Sequence, residues 1–77
     1  MKKYAVAHLS FTDNENKIAI VEATNELEAI VIAVEGKIVE SILEETETVE
    51  GLIKYYSDGE IAVSEPLLIE NNLRGDE

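Results

Sequence analysis

Residues Glu22 to Glu50 read EATNELEAIVIAVEGKIVESILEETETVE, and how this stretch is divided into elements decides the fold. Asn25-Glu26-Leu27-Glu28 is a helix start: the Asn25 side chain can accept the free amide of residue 28, and Glu28 can reach back in a capping-box arrangement. Leu27, Ile30, Val31 and Val34 follow at helical spacing, and Gly36 supplies a left-handed stop. The β-branched content of Ile30 to Val34 suits a strand, but periodicity and both caps favour the helix. Beyond Gly36, Ile38, Val39, Ile42 and Leu43 fit one helical face and fit equally a strand with apolar groups on both sides. A strand directly after the glycine is the simpler connection, so Lys37 to Glu44 is expected as a strand, with Ile38 and Ile42 on the sheet face away from the helices. Thr46 or Thr48 then opens a second helix with a stripe of Val49, Leu52, Ile53 and Tyr56, an i,i+4 pair Glu50–Lys54, and a stop at Gly59. Gly51 inside it costs about 1 kcal/mol against alanine and permits close packing.

Upstream, Lys3 to Thr12 alternates as a strand, with Ala5, Ala7, Leu9 and Phe11 on one face and Tyr4, Val6, His8 and Ser10 on the other. Asp13-Asn14-Glu15-Asn16 is a turn, since Asn and Asp accept left-handed backbone. Lys17 to Thr24 returns as a second strand, completing a hairpin. Downstream, Glu60 to Glu65 is a strand with Ile61 and Val63 inward; Pro66, which cannot donate to a ladder, ends or bends it. Leu67-Leu68-Ile69 resumes as an edge strand or packs across a dimer, and residues 71–77 form a frayed polar tail. The expected architecture is a single α+β domain over residues 1–77, in the order ββαβαβ. Its small antiparallel or mixed sheet carries two helices on one face. With few large side chains in so short a chain, a homodimer is expected to supply missing burial.

No cysteine is present, which excludes disulfides and thiolate zinc sites. Met1-Lys2-Lys3 opens like a signal peptide, but the apolar stretch behind it is broken by His8 and Ser10 and is too short for export. The longest apolar run, Ala29 to Val34, falls far below the roughly 20 residues that cross a bilayer. A cytoplasmic location is expected. The single histidine, His8, could be combined on paper with Ser10, Ser41, Ser57 or Ser64 and an acid. No spacing favours such a set, no nucleophile-elbow motif occurs, and a surface or interface role for His8 is the simpler reading. Asp13 to Asn16 lacks the glycine and distal glutamate of a calcium loop, and the dispersed glycines Gly36, Gly51, Gly59 and Gly75 cradle no phosphate. The chain is expected to be no enzyme and to hold no metal or cofactor.

What remains is charge. The chain has a net charge of −11, and Glu22 to Glu50 holds nine carboxylates against the single cation Lys37. That sign repels nucleic acid and anionic membranes. It exceeds the magnitude of roughly 2–8 ample for a small soluble domain. One reading is solubility alone, in a small structural or interaction domain. The sharper one is a decoy, because a rigid domain with carboxylates at intervals comparable to duplex phosphates can occupy a basic DNA-binding groove. Pairing two chains about a twofold axis would double the array and match the symmetry of many DNA-binding dimers. Glu26, Glu28, Glu35, Glu40, Glu44, Glu45, Glu47 and Glu50 are the candidate phosphate stand-ins. A further alternative is an antitoxin-like partner of a basic ribonuclease.

The run NELEAIVIAVEG from Asn25 to Gly36, continued by SILEETETVE from Ser41 to Glu50, resembles small acidic phage proteins that mimic DNA, among them host-takeover inhibitors of the nucleoid protein HU in Bacillus. The resemblance spans the whole chain in size and charge. It implies a homodimer whose acidic surface enters the DNA-binding cleft of an HU-like dimer and blocks DNA binding.

Overall fold

A computed structural model describes residues 1–11 and 15–71. The elements are β1 (Lys2–Ser10), β2 (Glu15–Ala23), α1 (Glu26–Glu35), α2 (Glu40–Glu45), α3 (Val49–Asp58), β3 (Ile61–Val63) and β4 (Leu67–Asn71). They form an α+β fold with one antiparallel sheet. β1 lies in the middle: β2 pairs along one edge in unbroken register from Lys2↔Ala23 to Ser10↔Glu15. β3 and β4 share the other edge in series, β3 against His8 to Ser10 and β4 against Lys2 to Ala5, with a register shift at Lys3/Tyr4. Between them Ser64 keeps the ladder joined. Its N–H donates to Ala7 O at 2.8 Å and its hydroxyl accepts the Ala7 N–H at 2.9 Å. Pro66, with no N–H to offer, then starts the bend into β4.

Alternation along β1 sends Tyr4 and Val6 to one face, where they are buried with Ala23 of β2, Val63 of β3, Ala29, Ile30 and Val31 of α1, and Leu52 and Tyr56 of α3. Val6, Ile30, Val31 and Leu52 are fully buried, each stabilising by about 1.5–3 kcal/mol relative to exposure. The opposite face, with Ala5, Ala7 and Leu9 of β1 facing Ile20, Ile18 and Asn16 of β2, carries no helix from the described residues.

α1 forms where its caps predict. Asn25 Oδ1 accepts the Glu28 N–H at 2.9 Å, and Gly36, at φ 82°, donates its N–H to Ile32 O. The Glu28 carboxylate reaches one residue further back than a capping box does: Oε1 accepts from the N–H and hydroxyl of Thr24 at 3.2 and 2.7 Å. Thr48, not Thr46, caps α3, accepting the Gly51 N–H at 3.0 Å. A Cβ at Gly51 would stand 3.0 Å from that hydroxyl and 3.4 Å from Cγ2 of the buried Thr46, so the glycine does serve a close approach. α3 closes at Gly59, whose φ is an ordinary −93°; the left-handed residue is Glu60, at φ 69°. Lys54 Nζ lies 4.0 Å from Asp58 Oδ2, so the expected partner Glu50 is replaced by the acid one turn on.

The segment expected as a third strand is instead α2, and the order is ββαααββ. Val39-Glu40-Ser41-Ile42-Leu43-Glu44 alternates apolar and polar groups in pairs. On a helix that makes one stripe; on a strand it puts apolar groups on both faces, and only one face of this sheet is covered. Ile42 therefore packs against the core from the helical side with Val39 and Leu43, while Ile38 lies exposed in the link. Neither sits on the far face of the sheet. Of the expected turn at 13–16, Glu15 and Asn16 belong to β2, and the rest lies outside the described residues. Of the expected tail at 71–77, Asn71 instead ends β4, and the rest lies outside the described residues.

Candidate functional site

The eight candidate carboxylates all belong to the helical layer. Glu26 and Glu28 occupy the first turn of α1 and Glu35 its last residue. Glu40 opens α2 and Glu44 and Glu45 close it. Glu47 lies in the link to α3, and Glu50 in that helix's first turn. Seven are exposed; Glu28 is half-buried, held by Thr24. Glu35 is anchored as well, its Oε2 accepting from the Tyr56 hydroxyl at 3.1 Å. Burial first, then that bond and the Glu35 charge, push the Tyr56 hydroxyl pKa well above its usual value.

Charge segregates by layer. The three helices hold eight carboxylates, counting Asp58, against one lysine, Lys54. The four strand segments hold three lysines, Lys2, Lys3 and Lys17, and three glutamates. With the links counted, the helical side holds nine carboxylates against Lys37 and Lys54 and the sheet side five against three lysines, so the excess of negative charge is concentrated on the helical side.

Position along each helix adds a second feature. A helix C-terminus carries partial negative charge and disfavours anions by about 0.3–1 kcal/mol each at exposed sites. None of the three helices has a basic residue in its last turn, and all three have acids there: Glu35, then Glu44 and Glu45, then Asp58. Only Glu26, Glu28, Glu40 and Glu50 sit where the dipole favours them. Glu40 and Glu44 are one turn apart, within about 5–6 Å at Cβ, a like-charge pair that further weakens α2.

His8 is half-buried on β1, and Ser64 is engaged in the ladder and with Glu65 O. Ser41 and Ser57 belong to α2 and α3. Among the described residues no three His, Asp or Glu side chains gather as a metal site would require, and no helix is long and apolar enough to cross a membrane.

The side of the sheet away from the helices, expected to present Ile38 and Ile42, is lined by other apolar residues. Ile18, Ile20 and Leu67 are 74%, 56% and 64% exposed. Leu67 pairs with Ala5, so it shares that side. A shallow depression of about 450 Å³ runs along Ala7, Leu9, Ile18 and Ala62. The signal was present in Lys17 to Thr24, where isoleucines alternate with Ala19, Val21 and Ala23 and both faces of the strand are apolar. Compared with protein families, curated proteins and solved structures, the chain matches none.

Proposed function

We propose that this chain is a DNA mimic that binds a basic DNA-binding protein of the bacterial nucleoid, HU-like in its cationic cleft, and blocks its access to DNA. It acts as a homodimer in the cytoplasm. The observation that carries the reading is the layered charge: eight carboxylates against one lysine on the helices, balance on the strands. Solubility needs charge of either sign anywhere on the surface. It does not need anions crowded onto one layer and set at the C-terminal ends of every helix, against local stability. Such departures from local rules mark positions held for another use. Steering by the field gives fast, salt-sensitive association, and affinity comes from desolvated Lys/Arg–carboxylate contacts.

The test is competition for a labelled duplex on a purified HU-type protein. The wild-type chain is expected to displace the duplex. A variant with Glu44, Glu45 and Glu47 changed to Lys is expected to lose displacement while keeping its helical circular dichroism. Undiminished displacement by that variant would remove the site from α2, and no displacement by the wild type would remove the function. Capture of a small ribonuclease from lysate in its place would favour the antitoxin alternative.

A further inference from the structure

We propose that a second copy of this chain docks on the open sheet face, sheet against sheet about a twofold axis. This rests on the homodimer reading above and gives it a location. Phe11, Ile18, Ile20 and Leu67 are 54%, 74%, 56% and 64% exposed. Phe11 continues the β1 ladder through its N–H to Glu60 O at 3.0 Å, and by alternation it falls on the side of Leu9. With nine residues along β1 and three strands across, the face has a footprint of roughly 400 Å². The largest apolar patch on a typical monomer is about 300–600 Å² and is often functional, so size makes this face a candidate and the occupant has to be argued separately.

Two further observations select a copy of the same chain as the occupant. The first is charge. Two molecules of net −11 repel wherever their helical layers meet, whereas the open face sets Lys3 across from Glu22 amid apolar neighbours. The sheet is where the copies approach with least opposition. The second is shape. Central β1 presents the small side chains of Ala5 and Ala7, flanked by Ile18 and Ile20 on one side and Leu67 on the other. That valley between ridges accepts the ridge of a partner turned by the roughly 30° usual for packed sheets. Two footprints total roughly 800 Å², below the 1,200–2,000 Å² of most stable complexes, so the dimer exchanges with monomer as concentration changes. Packed this way, the acidic layers point outward on opposite sides, and each dimer offers two separate sites to its target.

Sedimentation across a concentration series reads the association. The wild type is expected to pass from 8.5 kDa to twice that mass. Changing Ile18→Lys and Ile20→Lys together is expected to weaken dimerisation by at least about tenfold, with circular dichroism unchanged because both side chains are exposed. Since the chain has no cysteine, Ala7→Cys introduces the only thiol. A short bismaleimide is expected to join two copies there, and not in a Glu50→Cys control on the helical layer. A dimer that ignores both lysines and is not joined at Ala7, as pairing through the free edge of β2 would give, overturns the location and spares the homodimer. A monomer at every concentration overturns both. Duplex competition on the same samples reports separately on the target.

Discussion

Tyr56 ties α3 to the last residue of α1, with a ring that is buried and a hydroxyl bonded to Glu35. The fold raises the pKa of that hydroxyl above its ordinary 10.0, chiefly because ionisation inside the core loses hydration. The folded state therefore holds the proton more tightly than the unfolded one. Its stabilising contribution is complete below pH 10 and falls as pH rises beyond that, toward the raised folded value. Denaturant midpoints measured on either side of pH 10 are expected to drop for the wild type and to drop less for Tyr56→Phe. At neutral pH the same substitution costs about 0.5–1.5 kcal/mol, the usual net value of one hydrogen bond. Glu60 works in the opposite sense. Its left-handed backbone is an expense of about 1–2 kcal/mol for a residue bearing a Cβ. Glu60→Gly is expected to raise Tm by a few degrees, reduced by the greater freedom glycine gives the unfolded chain. Thermal melts decide it, and an unchanged or lower Tm would mean that the Glu60 side chain stabilises the turn in some other way.

At the scale of elements, α2 is where stability and function pull apart. It has six residues, no side-chain N-cap bond, no fully buried residue, and Glu44 and Glu45 at its C-terminal end. Replacing both by Lys is expected to stabilise the domain by about 0.5–1 kcal/mol, through the dipole and relief of the Glu40–Glu44 repulsion. The same change is expected to weaken target binding. A variant that melts higher and competes worse is the signature of anions kept for recognition; one that melts higher and competes equally well would assign them to solubility. α2 is also where the sequence misled. α1 was legible because Asn25 and Gly36 mark its ends by local chemistry that needs no partner. β1, β2 and the Pro66 break were legible for the same reason. The segment from Lys37 to Glu44 carried no cap at its start, and its pairs of apolar residues became decisive only once one face of the sheet was known to be bare. The candidate glutamates could be gathered from sequence by density alone. Their confinement to one layer could not, because it depends on which elements became helices.

Taken whole, the molecule separates a charged side from an apolar one, and binding to a cationic cleft should depend on salt accordingly. Direct binding to an HU-type protein, measured without DNA because the duplex is itself salt-sensitive, is expected to weaken at least about tenfold between 50 and 200 mM salt. The loss should fall mainly on the association rate. Insensitivity to salt would mean that contact is made through the apolar side instead.

One consequence follows from the position of β1, which precedes β2, β3 and β4 in the chain and bonds to all three. Its hairpin with β2 can close as soon as residue 23 has emerged, but its other flank waits for residues 61–71, and the Lys2↔Asn71 pairing spans nearly the entire chain. Throughout that interval a nascent molecule shows a bare strand flank beside an oily face, the condition in which chains mispair with their neighbours. Crowding on the ribosome, rather than the finished domain's own stability, is then what should limit the yield of folded protein, and slower synthesis should worsen it.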